Sequence, residues 1–132
     1  MIVETFAVNF QPVNVMPVIH AIQRDTGLRQ YKAKVYNGSD IPDLTGMTCT
    51  VEGTKSDRTG FSYPCTISGN EVTITLNEQM TVYAEDIVCG LVFTKDGETI
   101  TAKFILSVEK APLADDTELS ETDLSILTNM RG

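Results

Sequence analysis

Tryptophan is absent from the 132-residue sequence, and histidine occurs only once, as His20. One histidine, together with cysteines that show no C-x-x-C spacing, does not supply the ligand cluster of a zinc site. Phosphate-binding glycine loops and the G-x-S-x-G motif are also missing. His20 lies in the apolar stretch 18–22, which predicts a place on a strand surface. The sequence therefore indicates a protein that is not an enzyme, with no catalytic residue, no cofactor and no metal.

Basic residues are few: ten Lys and Arg stand against eighteen Asp and Glu, for a net charge of −8. A negative net charge of this size repels phosphate backbones and anionic lipid, so we expect neither nucleic acid nor a membrane as partner. No apolar run approaches the ~18 residues that a membrane span needs. Residues 1–10 carry Glu4 and no basic residue, unlike the start of a signal peptide. The acidity serves solubility or a basic partner surface, and synthesis in a cytoplasm is expected.

The three cysteines, Cys49, Cys65 and Cys89, are widely separated, and an odd number cannot pair fully within one chain. Cys49 and Cys89 fall at inward-facing positions of proposed strands. We therefore expect the cysteines to be small buried hydrophobic residues.

The charged residues that remain as candidates for binding are expected to have structural roles. Asp40 and Asp43, like Asp115 and Asp116, lie in turn-forming or linker sequence, which favours turn and solvation roles over calcium ligation. A small basic strip is interpreted as a solvated strand face; it comprises Arg29, Lys32 and Lys34.

Alternation of apolar and polar residues dominates the sequence and is clearest on either side of Asp96-Gly97. Asp-Gly is a preferred pair for a two-residue type I′ turn, because both central residues need positive φ. A two-residue loop aligns Lys95 with Glu98 and sets every apolar residue beside another on one face. The predicted pairs are Phe93–Ile100, Leu91–Ala102, Cys89–Phe104 and Ile87–Leu106.

A second hairpin is predicted around Gly69-Asn70, where turn-forming residues again separate two alternating segments. Val72, Ile74 and Leu76 form its apolar face. The predicted pairs are Ser68–Glu71, Ile67–Val72, Thr66–Thr73 and Cys65–Ile74.

Weaker alternation predicts further strands within 15–23, 31–36 and 47–52, an exposed loop over 53–62 and a short helical turn within 77–86. About seven short strands separated by turn-forming residues are typical of an all-β, immunoglobulin-like β-sandwich. We expect this domain to span residues 1–110. The lack of tryptophan excludes the antibody-type domain, in which a core tryptophan packs on a disulfide.

Residues 111–132 are predicted to be a separate short extension, an acidic linker followed by a helical segment. A capping box over Ser120–Asp123 marks the predicted start of that segment. A helix this short is marginal alone in water, so its apolar side chains need a neighbour. The predicted interface residues are Leu119, Leu124, Leu127 and Met130.

Several short motifs follow one another along the chain. They are Asp25-Thr26-Gly27, the strand 30–36, the DLTG turn at 43–46, a V-x-G-x-K strand formed by Val51, Gly53 and Lys55, a strand from Val72 that leads into an L-x-x-Q-M-T crossover at 76–81, and the hairpin with its acidic exit at 94–117. In this order, across roughly residues 14–124, they resemble the N-terminal domain of phage baseplate upper proteins.

The resemblance implies a β-sandwich that is built into the particle of a tailed phage, at the baseplate or tail, where it anchors or orients an attached fibre. The implied partners are other virion proteins and further copies of the chain. The implied location is the virion, after synthesis in the cytoplasm of the host bacterium.

Two other functions remain open from the sequence. The same domain could decorate a capsid or anchor a head fibre, which the identity of its neighbours in the particle would decide. A carbohydrate-binding module is the third possibility, since β-sandwiches often bind glycans, and exposed aromatic platforms would favour it. The absence of tryptophan, and the place of most phenylalanines on apolar strand faces, argue against it.

Overall fold

The computed structural model of the protein describes residues 1–12 and 14–113. These residues form eight β-strands and no helix, so the predicted all-β class is confirmed. The strands in chain order are β1 (Ile2–Asn9), β2 (Val18–Ile22), β3 (Arg29–Tyr36), β4 (Thr48–Thr54), β5 (Gly60–Ser68), β6 (Glu71–Thr75), β7 (Asp86–Lys95) and β8 (Glu98–Glu109).

The strands belong to one sheet, in the order β1-β3-β6-β5-β4-β7-β8-β2. This sheet curls so far that the ring of Phe6, on one edge strand, lies 5.4 Å from the ring of Phe104, next to the other edge strand. The result is barrel-like. It corrects the expected immunoglobulin-like sandwich of about seven strands: an eighth strand is present, and one nearly closed sheet replaces two clearly separate facing sheets.

Strand β5 makes the sheet continuous, because it pairs with two different neighbours along its length. Residues 60–65 pair with β4, and residues 66–68 pair with β6. A strand that changes partner in this way forms a corner between two halves of a β-structure. The predicted pair Cys65–Ile74 is therefore wrong: at Cys65 the strand has already passed to β4, where its partner is Cys49.

Both predicted hairpins are otherwise confirmed. The pairs from Lys95–Glu98 to Ile87–Leu106 lie in register, and Asp96 and Gly97 have the positive φ values, 53° and 80°, that the type I′ turn requires. The second hairpin keeps its three pairs nearest the turn. There only Gly69 has positive φ, as in a type II′ turn.

The two edge strands pair in parallel, β1 with β3 and β2 with β8. The sequence predicted no strand over residues 2–9. The strand predicted within 15–23 is β2, which begins directly after Pro17 and lies at the other edge of the sheet. Residues 77–85 hold a turn and bends rather than the predicted helical turn, and Asp86 already belongs to β7. The predicted loop over 53–62 is shorter because β4 and β5 extend into it.

The core fills the inside of the curled sheet. Cys49 and Cys89 are buried there, as expected, and Phe93 and Phe104 are 1% and 0% exposed. The ring of Phe6 on β1 contacts that of Phe104 on β8. The ring of Phe10, directly after β1, lies 5.2 Å from that of Phe93 on β7, edge to face. The largest fully buried side chains are Phe93, Phe104, Ile19, Ile74, Leu76, Met80, Leu91 and Leu106.

Strand β8 ends at Glu109, close to the boundary expected at residue 110. The extension predicted for 111–132 lies, from residue 114 onward, outside the described residues. The division into a domain and an extension therefore stays a prediction.

Replacing Phe104 by alanine should lower the free energy of unfolding by about 3–5 kcal/mol, because it empties a fully buried aromatic site. Urea denaturation at equilibrium measures the change. Ile100→Ala, on the same strand but 41% exposed, is the matched control and should change stability by less than about 1 kcal/mol. A loss below about 1 kcal/mol for Phe104→Ala would contradict this packing.

Candidate interaction surface

The polar residues considered as catalytic or metal-binding candidates are dispersed. His20 is exposed on β2, and its backbone, rather than its imidazole, bonds the Tyr31 hydroxyl. Within residues 1–12 and 14–113, no group of three or more His, Cys, Asp or Glu side chains could hold a metal ion. No helix in that part of the chain could cross a membrane.

Asp43 has the turn role expected for it. Its Oδ1 accepts the N–H of Thr45 at 3.0 Å, and hydrogen bonds from the Thr45 side chain and backbone hold the pKa of the Asp43 carboxyl below its ordinary value. Leu44 of the same DLTG turn is buried, and Gly46 adopts a φ of 80°. Asp40 bonds Asn37 through the backbone, while Asp115 and Asp116 lie outside the described residues.

The predicted basic strip is only partly formed. Lys32 and Lys34 are exposed on β3. Arg29, in contrast, is bound by Asp25, whose Oδ2 lies 2.7 Å from its Nε. Lys34 stands opposite Glu71 on β6, which further balances its charge. This face therefore has no concentrated positive charge.

The motifs that carry the resemblance meet in space. Lys55, the last residue of the V-x-G-x-K strand, is 6% exposed, and its Nζ donates to Oε1 of Gln79 in the L-x-x-Q-M-T crossover at 2.8 Å. Thr81 of the crossover is fully buried and donates its hydroxyl to the carbonyl of Asp25 at 2.7 Å. Three motifs far apart in the sequence therefore form one packed unit.

Gly53, the central residue of the V-x-G-x-K strand, lies under an aromatic ring. A Cβ at this position would approach Cζ of Phe61 to 2.7 Å, closer than real Cβ contacts allow. The glycine is required because β4 and the Phe61 ring on β5 are in direct contact.

One end of the barrel, which we call the exit end, comprises residues 1–3, 22–29, 76–83 and 110–113. Ile2 N–H donates to the carbonyl of Leu28 at 2.7 Å. The side chain of Gln23 donates to the carbonyl of Val82 at 2.9 Å and accepts the N–H of Ala111 at 3.1 Å. The described chain leaves the barrel at this end.

The exit end exposes several large apolar side chains, together with charged ones such as Arg24, Glu78 and Lys110. Leu28 and Met1 are 74% and 72% exposed, although burial of such side chains would be favourable. Several exposed apolar side chains at one end of a domain are candidates for protein–protein contact. The exposed hydrophobic residues at this end are Met1, Ile2, Val3, Ile22, Leu28, Val82 and Tyr83.

Strand β1 presents an open edge next to this surface. The bonds from Ile2 N–H to Leu28 and from Phe10 N–H to Tyr36 show that even-numbered residues of β1 pair with β3. The N–H and C=O groups of Val3, Thr5 and Ala7 therefore point away from β3, and no strand of the described chain pairs with that edge. β1 carries one charged residue and no proline, so it lacks the usual protection of an edge strand.

The interface residues predicted from sequence, Leu119, Leu124, Leu127 and Met130, all lie outside the described residues. They remain predictions. The exit end and the open edge of β1 were not predicted, because neither follows from local alternation. The high share of apolar residues in 1–10 was the sequence feature from which the strand β1 could have been predicted.

No family model and no curated protein matches the sequence. Solved structures do match the fold. One is the N-terminal domain of phage TP901-1 ORF48, with a TM-score of 0.64 and 8% sequence identity over 83% of this chain and 100% of that domain. The chain therefore shares its fold with a complete domain of a phage protein.

The carboxylate of Asp57 should make the exit end sensitive to acid. Hydrogen bonds from the side chain and backbone of Thr59 and from the Tyr83 hydroxyl, the last at 2.9 Å, lower the pKa of Asp57 to about 2. A lowered pKa in the folded state stabilises the fold above the unfolded-state pKa of about 3.9, and that contribution disappears as the pH falls towards 2.

We therefore expect Asp57→Asn to weaken the fall in the urea midpoint between pH 5 and pH 2.5. Tyr83→Phe, which removes one of the bonds, should weaken it less. Equal acid sensitivity of Asp57→Asn and the wild type would show that Asp57 does not contribute to it.

Proposed function

We propose that the protein is a structural component of a tailed-phage virion, placed at the baseplate or tail or anchoring a fibre, and that it acts through protein–protein contacts. The observation that carries the proposal is the match of its fold to the whole N-terminal domain of phage TP901-1 ORF48. The resemblance of the short sequence motifs to those of baseplate upper proteins agrees with this proposal.

The motifs that carry the sequence resemblance are in contact with one another in this chain. Here Lys55 bonds Gln79, and Thr81 bonds the backbone of Asp25, so that three of the motifs stabilise the exit end of the barrel. The buried Lys55 side chain requires such a hydrogen-bond partner, since an unsatisfied buried polar group is costly.

The exit end and the open edge of β1 are the surfaces we assign to assembly. Strand addition to a free edge supplies backbone hydrogen bonds, while adjacent apolar side chains supply burial. Both are available at Val3, whose side chain is 46% exposed and whose backbone groups face outward. In this proposal the partners are other virion proteins and further copies of the chain.

The experiment is to complement a phage that lacks this gene and to quantify the protein in purified particles by mass spectrometry. Val3→Lys should reduce incorporation at least about tenfold, equivalent to ~1.4 kcal/mol, because an edge lysine opposes strand addition. Ile100→Lys, exposed on β8, is the control and should be incorporated normally. Leu124→Lys combined with Leu127→Lys tests the sequence-predicted interface in the same way.

Absence of the wild-type protein from purified particles would contradict the virion proposal itself. Normal incorporation of Val3→Lys would contradict only the assignment of the β1 edge. Recovery of the protein with isolated heads rather than with tails would replace the baseplate placement by a capsid one.

A further inference from the structure

Cys49 and Cys65 stand directly opposite each other on β4 and β5. Lys55 N–H donates to the carbonyl of Thr59 at 2.9 Å, which makes that rung of the ladder a hydrogen-bonded one. Such rungs alternate along an antiparallel pair, and counting back by twos reaches the Cys49–Cys65 rung. Facing Cα atoms in these rungs are about 5.5 Å apart, within the range of roughly 4.4–6.8 Å found for disulfides.

We propose that Cys49 and Cys65 form a reversible dithiol–disulfide pair, a modification site at the corner of the barrel. Both are free thiols in the structure; Cys49 is buried and Cys65 is half-buried. The third cysteine, Cys89, is buried on β7 opposite Gly53 and has no cysteine across either neighbouring strand. The pairing is therefore specific to two of the three thiols.

The two thiols differ in pKa and in exposure, so Cys65 is suited to react first and Cys49 second. The interaction between the two facing thiols lowers the pKa of Cys65 and, together with burial, raises the pKa of Cys49. Burial raises the pKa of Cys89 to about 12. The more accessible thiol is thus also the one that ionises more readily, and the thiolate is the nucleophile in disulfide exchange.

The oxidant in this proposal is a low-molecular-weight disulfide such as oxidised glutathione. The Cys65 thiolate attacks one sulfur of that disulfide, forming a mixed disulfide and releasing one glutathione thiol. Cys49 then loses its proton and attacks the Cys65 sulfur, and the second glutathione leaves as a thiol. Two electrons pass from the cysteine sulfurs to the oxidant, and the two thiol protons end on the released glutathione molecules.

The position of the pair gives the bond a structural consequence. Cys65 is the last residue of β5 that pairs with β4 before the strand passes to β6 at Thr66. A bond to Cys49 would fix the corner at which the two halves of the sheet join. Side chains stand farther apart at hydrogen-bonded rungs than at the others, so the bond would be strained and readily reduced.

Cytoplasmic thiols are kept reduced, whereas disulfides persist outside the cell. If the proposed virion function holds, the pair would close after the particle leaves the host. The chemistry itself does not depend on that function, and the test uses the isolated full chain.

In the experiment, folded protein is equilibrated in glutathione buffers of increasing oxidised fraction, quenched with acid, denatured, alkylated with iodoacetamide and weighed by mass spectrometry. The wild type should change from three alkylated cysteines to one, with no glutathione adduct, and peptide mapping should join Cys49 to Cys65. Dithiothreitol should restore all three. Circular dichroism checks that every sample is folded.

Two variants separate the roles of the thiols. Cys49→Ala should stop at a glutathione adduct on Cys65, because the resolving thiol is gone. Cys65→Ser should keep both remaining thiols available for alkylation. Three alkylated cysteines in the oxidised wild type, a persistent adduct on wild-type Cys65, or a link that includes Cys89 would overturn the proposal. None of these outcomes bears on whether the protein is found in virions.

Discussion

The hydroxyl group of Tyr31 joins the two ends of the sheet. Tyr31 lies on β3, beside the edge strand β1, and its side chain crosses the inside of the barrel to β2, the edge strand at the other end. There its oxygen accepts the N–H of His20 at 3.1 Å and donates to the carbonyl of the same residue at 2.6 Å. Phe6 packs edge to face on the Tyr31 ring, with centroids 5.9 Å apart. The sheet is thus closed by side chains, where a complete barrel would use a ladder of backbone bonds.

This mode of closure has two consequences. The backbone N–H and C=O groups of His20, at the centre of β2, both have a hydrogen-bond partner. The same two bonds satisfy the Tyr31 hydroxyl, whose residue is buried and for which an unmade bond would be costly. The outward edge of β1, in contrast, receives no backbone partner from the described chain. The same aromatic contacts that complete the core therefore leave one strand edge free beside an apolar surface, which is the arrangement we assign to assembly.

Turn residues and the alternation of apolar and polar residues predicted the hairpins, whose two strands are adjacent in sequence. The Asp96-Gly97 hairpin was predictable to the residue, because a two-residue turn fixes the register of both strands. The parallel pairing of β1 and β2 was not, since parallel partners are distant in sequence and no turn signals their register. The change of partner within β5 was missed for a related reason: the alternation continues unbroken through Cys65, and only the curl of the sheet decides which strand lies beside it.

The candidate functional features also divide into those that local sequence predicts and those that depend on strand order. Absence of a catalytic constellation was an expectation from composition, and the motifs suggested a phage module before any contact between them was known. Their convergence at Lys55, Gln79 and Thr81 depends on strand order, which alternation does not encode. The facing of Cys49 and Cys65 likewise depends on the long β4–β5 register.

Amide hydrogen exchange along β1 in the isolated monomer tests the open edge most directly. Even-numbered residues donate to β3 and should exchange slowly, whereas odd-numbered residues point outward and should exchange at least about tenfold faster, since protection follows backbone hydrogen bonding. The slow set is Glu4, Phe6 and Val8, and the fast set is Val3, Thr5 and Ala7. Equally slow exchange of both sets would mean that β1 is paired on both sides, so that the sheet is a closed barrel with no free edge for assembly.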